Sequence, residues 1–167
     1  MSNKTIILKK GNRVFFGQYD WGNYCLLLFY ASKLDAEKVK TLLRLIFGES
    51  AYEDTYELPV TNPDEDTQFI DIKYNASLIS EAVSFLKDEV IPALENESAK
   101  DLVEKYGGKE TLELAINTGE EMVTDLIGVS DEYYSEDTET FIGFCTAIQR
   151  FFEEVLSEGL DYKTEID

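Results

Sequence analysis

Seven apolar residues near the C-terminal end constrain this chain more than any other feature. Phe141, Phe144, Cys145, Ile148, Phe151, Phe152 and Val155 fall at i, i+3, i+4, i+7, i+10, i+11 and i+14. With 3.6 residues per helical turn, that spacing places all seven on one stripe. A stripe holding four phenylalanines must be covered by other parts of the chain, so this helix is expected at the centre of a core.

The material to cover it is concentrated early. Arg13 to Tyr30 carries Phe15, Phe16, Tyr19, the only tryptophan (Trp21), Tyr24, Phe29 and Tyr30. Thr5-Ile6-Ile7-Leu8 and Arg13-Val14-Phe15-Phe16, joined through Lys9-Lys10-Gly11-Asn12, read as a β-hairpin. Tyr24 to Ala31 suits a buried strand or a buried helix by periodicity alone. Leu26, Leu27 and Leu28 are helix formers and Asn23 suits a helix start, which favours the helix.

Asp35-Ala36-Glu37-Lys38 is a capped helix start. Ala36, Val39, Leu42, Leu43 and Ile46 form the apolar face of a helix ending at Gly48, with Lys38, Lys40 and Arg44 opposite. Residues 49–66 read as a long acidic loop punctuated by Pro59 and Pro63, with a short edge strand at Tyr56 to Val60. Gln68 to Tyr74 alternates as a third strand. From residue 75 onward the reading is helical. One helix carries Ile79, Ala82, Val83, Leu86, Val90 and Leu94 and is ended or kinked by Pro92; short helices follow over 98–105, 110–116 and 120–127, before the phenylalanine stripe. The expected fold class is therefore α+β: a helix-dominated single domain, 1–167, with a small N-terminal antiparallel sheet, divided into a mixed part (1–74) and a helical, acidic part (75–167).

Gln18-Tyr19-Asp20-Trp21-Gly22, between a strand and a Leu-rich helical segment, resembles a segment of small uncharacterised phage and bacterial proteins. In those, a strand ends in a QYGQWDGYPSGQG-like turn that feeds a helix. The likeness spans about a tenth of the chain, which lacks that turn's proline and later glycines. It implies a strand-turn-helix passage and brings no activity with it.

Chemistry narrows by exclusion. The chain has no histidine, which removes the commonest general base, the usual zinc ligand and every Ser-His or Cys-His pair. Cys25 and Cys145 lie in apolar settings and read as two free buried thiols. Gly107-Gly108-Lys109-Glu110 has the wrong length for a phosphate loop. Asp64-Glu65-Asp66 with Asp71 lacks EF-hand spacing and reads as a solvated acidic loop. Asn75-Ala76-Ser77 and Asn96-Glu97-Ser98 match a glycosylation acceptor by chance in a chain that shows no export signal. No catalytic residue, metal or cofactor is expected, and no apolar run is long enough for a membrane span, so the expectation is a soluble cytoplasmic protein that is not an enzyme.

Charge points to a partner. Residues 1–48 carry a net +5 and residues 49–167 a net −24, for −19 overall. Such a field repels nucleic acid and anionic lipid and draws in basic surfaces. Tyrosines interleave with the acids at Tyr52, Glu53, Asp54 and Tyr56, and again at Asp131, Glu132, Tyr133, Tyr134, Glu136 and Asp137. These ten residues are the expected partner-binding positions, with tyrosines as anchors and carboxylates as complements to Lys and Arg. Solvated acidic loops that keep a small protein in solution are the plainer reading of the same residues. The acidic composition is similar to that of phage anti-defence proteins that imitate DNA, implying a non-enzymatic inhibitor of a nucleic-acid-handling or defence enzyme, of the anti-restriction or anti-CRISPR kind. The alternatives are a small-ligand or metal-dependent acidic enzyme using the aromatic seam and carboxylates such as Asp20, and an immunity protein against a nuclease toxin.

Overall fold

The computed structural model describes residues 5–10, 13–14, 19–48, 68–97, 102–108, 110–111 and 137–166. The chain begins with β1 (Thr5–Lys10), β2 (Arg13–Val14) and β3 (Tyr19–Asp20), followed by helices α1 (Trp21–Leu34) and α2 (Val39–Phe47). Strand β4 (Gln68–Ile72) leads to α3 (Ala76–Phe85), a π-helical turn (Leu86–Val90) and α4 (Ile91–Glu95). Then come the short α5 (Leu102–Lys105), the long α6 (Thr138–Glu158) and β5 (Tyr162–Ile166). The fold class is α+β and helix-dominated, with an antiparallel sheet.

The hairpin forms, with Lys9 opposite Val14 and Lys10 opposite Arg13, so that these two lysines, expected in the turn, extend β1 instead. The sheet is not confined to the N-terminal part, however. Its order is β2-β1-β5-β4, with β3 pairing the start of β1 beside β2. β5 pairs with β1 from Ile6–Ile166 to Lys9–Lys163, and with β4 from Gln68–Ile166 to Ile72–Tyr162. Residues 162–166, assigned from sequence to the helical, acidic part, are thus an inner strand joining the hairpin to mid-chain β4. Tyr162 and Thr164 on one face are buried while Lys163 between them is exposed, the period of two that a half-buried strand requires.

Helices cover that buried face. All seven residues of the α6 stripe are buried, and Phe151 meets the Tyr162 ring edge-on with centroids 5.1 Å apart. α1 is the second layer. Tyr24 and Leu26 to Ala31 are each exposed by 2% or less, so the middle of this helix is enclosed, while its end at Lys33 and Leu34 is exposed. Tyr24 packs edge-on against Phe144 of α6 at 5.0 Å. Helix was therefore the correct choice for Tyr24 to Ala31, but α1 starts at Trp21, so Asn23 is a buried residue of the first turn and not the cap.

Local signals elsewhere behave as their chemistry dictates. Asp35 Oδ1 accepts from the Glu37 and Lys38 amides, both at 3.0 Å, closing a turn over residues 36–38, so the helix start expected at Asp35 falls later, at Val39, where the Lys38 side chain makes no cap. Val39, Leu42, Leu43 and Ile46 are buried as expected, whereas Ala36 is exposed. Asn75 is the N-cap of α3, accepting from the Leu78 amide at 3.0 Å. Pro92 neither ends the helix nor breaks it. The Ile91 amide reaches back to the Leu86 carbonyl in the π-helical turn just before it, and the helix continues to Glu95. A π-turn at this point re-spaces the backbone around a residue that has no N–H and whose ring crowds the preceding turn. Gly107 and Gly108 follow α5 with φ of 89° and 114°. The expected loop at 49–66 with its edge strand, the part of the 110–116 helix beyond Thr111 and the helix over 120–127 lie outside the described residues.

Candidate partner-binding surface

Of the ten partner-binding positions expected from sequence, nine lie outside the described residues: Tyr52, Glu53, Asp54, Tyr56, Asp131, Glu132, Tyr133, Tyr134 and Glu136. The tenth, Asp137, is exposed, but its carboxylate has a structural duty. Oδ1 accepts from the Glu139 amide at 3.0 Å and Oδ2 accepts from the Thr140 hydroxyl at 3.1 Å, capping α6. A carboxylate at a helix N-terminus also opposes the positive end of the helix dipole. Asp137 is therefore a support for the core helix, and reversing its charge would disturb the fold as well as the surface.

Two polar clusters that the sequence reading did not single out are well defined. In the first, the Tyr30 hydroxyl donates to Glu97 Oε1 at 2.7 Å, and Lys105 Nζ lies 2.6 Å from the same oxygen. Lys105 also sits over the Tyr30 and Tyr106 rings, at 5.1 and 5.4 Å from their centroids. Burial, then the hydrogen bond to Glu97, pushes the Tyr30 phenol well above its usual range. Burial alone would raise Glu97, but the hydrogen bonds from Lys105 and Tyr30 outweigh it and hold the carboxyl below its usual range. At neutral pH the cluster is a protonated phenol and a doubly bonded carboxylate, which makes it a clasp joining α1, the end of α4 and α5. Its phenol has no capacity to act as a base.

The second cluster lines a groove of ≈ 370 Å³ between the start of α2 and the α3–π segment. Lys38 and Thr41 contribute from one side; Ser80, Glu81, Ser84 and Glu89 from the other, above the buried ring of Phe85. Lys38 Nζ bridges the groove to Glu89 Oε2 at 2.5 Å, and this bond raises the Lys38 pKa. The signal for these residues was present in the sequence, since Ser80, Glu81 and Ser84 are the polar positions between the buried Ile79, Ala82 and Phe85 of one amphipathic helix.

The remaining chemistry is sparse. Cys145 is a free buried thiol whose pKa is pushed up by burial. Asp71 is exposed and lies 3.7 Å from Lys163 across the outer face of the sheet. Among the described residues no group of three or more Cys, Asp or Glu side chains is arranged to hold a metal ion, and no helix is long and apolar enough to cross a membrane. The outer face of α6 displays Glu139, Glu153 and Glu158, with Arg150 among them. Comparison with family models, with curated proteins and with solved structures gives no match to this chain.

Proposed function

We propose that this protein is a non-enzymatic acidic binder that blocks the basic surface of a nucleic-acid-handling or defence enzyme in the cytoplasm, in the manner of anti-restriction and anti-CRISPR inhibitors. The observation that carries the reading is the net −24 of residues 49–167, set against +5 in residues 1–48. A charge of that size exceeds the roughly 2–8 units that keep a small domain in solution.

The exposed face of α6 supports a refinement. Its 21 residues span roughly 30 Å and hold four glutamates, whereas duplex DNA presents about 18 charges over the same length. A helix face this sparse does not imitate a duplex along its length. It suits an inhibitor that makes a few ion pairs and relies on tyrosine anchors for the rest of its affinity. Tyr133 and Tyr134, flanked by Asp131, Glu132 and Glu136, are the residues assigned to that role.

The test is capture of partners from bacterial lysate on immobilised protein at about 50 mM and about 200 mM salt, with and without duplex DNA. A basic nucleic-acid-handling protein should be retained at low salt and released by salt and by DNA. A variant carrying Asp131→Lys, Glu132→Lys and Glu136→Lys, with Asp137 left in place, should retain none. Equal retention by that variant, or no basic protein at low salt, overturns the proposal.

A further inference from the structure

The groove between α2 and α3 already holds a cation of the protein's own. Lys38 Nζ lies 2.5 Å from Glu89 Oε2 although the two residues are 51 apart in sequence. Their side chains are 51% and 39% exposed, so the pair is wet, contributes little to stability and is open to exchange. Glu81, on the same wall, forms no ion pair among the described residues. Ser80 and Ser84, one helical turn apart, add hydroxyl acceptors, and Phe85 closes the base. The groove is open to solvent, and its ≈ 370 Å³ leaves room for the head group of one side chain. Two carboxylates and two hydroxyl groups lining one groove suit a guanidinium or ammonium group, which brings several donors on one charged centre.

We infer that this groove is the seat for an arginine or lysine side chain of a basic protein partner, and that Lys38 is an internal occupant which the incoming cation displaces from Glu89. The inference rests on the reading of the chain as a binder of basic surfaces and adds a cation-binding position outside the acidic segment 131–136. Lys38 has a competitive role in this arrangement. It neutralises Glu89 in the free protein and sets a threshold that a weakly basic surface does not pass.

Titration of the full chain with a hexa-arginine peptide at low salt, read by calorimetry and by backbone amide NMR shifts, tests this. Lys38→Met should tighten binding about two- to fivefold, the range open to an exposed ion pair that no longer competes. Glu81→Gln with Glu89→Gln should weaken binding at least about fivefold, and wild-type shift changes should centre on residues 80–89. Glu153→Gln with Glu158→Gln removes the same charge from α6 and should change binding less than about twofold if the groove, and not the general field, takes the cation. Equal weakening by the two pairs, or no gain from Lys38→Met, overturns the inference. Loss of binding only on lysine substitution at Asp131, Glu132 and Glu136 refutes the groove and leaves the acidic-binder reading standing, whereas no binding by any form refutes both. All four glutamine sites and Lys38 are on the surface, and thermal melts of each variant establish that folding is not the cause.

Discussion

The C-terminal end of α2 depends on side chains from a strand more than a hundred residues later, and this dependence can be measured. The last carbonyls of a helix have no intrahelical donor. In α2 the Arg44 carbonyl accepts from the Gly48 amide at 2.9 Å, while the Leu45 carbonyl accepts from the Tyr162 hydroxyl and the Ile46 carbonyl from the Thr164 hydroxyl, the latter at 2.6 Å. Both hydroxyl bonds are buried. Tyr162→Phe keeps the ring and its edge-on packing with Phe151 but deletes the donor; Thr164→Val keeps the shape and does the same. A buried carbonyl left without its donor costs about 1–3 kcal/mol, against a total stability of about 5–15 kcal/mol for a domain. At about 2–4 °C per kcal/mol for a chain of this size, each variant should melt about 2–12 °C below the parent. Urea unfolding followed by far-UV circular dichroism gives the free energies directly, and the double variant measures how strongly the neighbouring sites are coupled. If both single variants lie within about 0.5 kcal/mol of the parent, water or a rearranged backbone satisfies these carbonyls and the coupling of β5 to α2 is not energetic.

Three further expectations follow from the packing and the charges. Phe144→Asp buries an unpaired carboxylate at a position 3% exposed and edge-on to Tyr24, and should cost several kcal/mol or abolish the cooperative melt; an unchanged melting temperature would remove α6 from the core. Gly48→Ala should cost about 1–2 kcal/mol, because φ is 88° and an added Cβ would meet Ile70 Cγ2 at 3.1 Å; a neutral result in urea unfolding would show that the chain leaves α2 by another route. Glu97 is held below its usual carboxyl range when folded, so its contribution is present above the unfolded carboxyl pKa and is lost as pH falls through the lower folded value. Stability measured from pH 7 to pH 3 should therefore decline on the acid side, and Lys105→Met should flatten that part of the decline; parallel curves for the two proteins would show that the clasp is not linked to protonation.

How much of this could be read in the sequence depended on whether a segment's partners are local. The α6 stripe, the α2 stripe and the opening hairpin are patterns complete within a few residues, and all three form, although Lys9 and Lys10 belong to β1 rather than to the turn and Ala36 of the α2 stripe is exposed. β5 was hidden because Tyr162, Thr164 and Ile166 give only three alternations, set among Glu158, Asp161, Glu165 and Asp167, and the charge pattern dominates such a stretch. Its strand character comes from pairing with β1, more than 150 residues earlier, and with β4. The clasp was hidden for a similar reason, since Tyr30 and Glu97 are 67 residues apart and no sequence pattern links them. Pro92 misled in the other direction. The helix runs on past it to Glu95, so Pro92 does not end it, and the π-helical turn just before it is a feature that proline in a sequence does not announce.

Asp137 shows why net charge alone is a blunt guide to a binding surface. Several of the described carboxylates hold the fold as well as displaying charge. Asp35 and Asp137 cap helical turns, Asp161 accepts from the Tyr74 amide at 2.7 Å and fastens the α6–β5 turn beside β4, and Glu97 anchors the clasp. Reversing any of these removes a hydrogen bond from the folded state as well as a charge from the surface, so lost binding and lost folding would look alike. Losing a cap costs about 0.5–2 kcal/mol, and a lysine at the head of α6 adds repulsion from the helix dipole of about 0.3–1 kcal/mol. That sum is large enough to unsettle the helix that carries the phenylalanine stripe. The charge-reversal experiment can therefore be read as a test of recognition only when the capping aspartate is kept and the neighbouring Asp131, Glu132 and Glu136 carry the change.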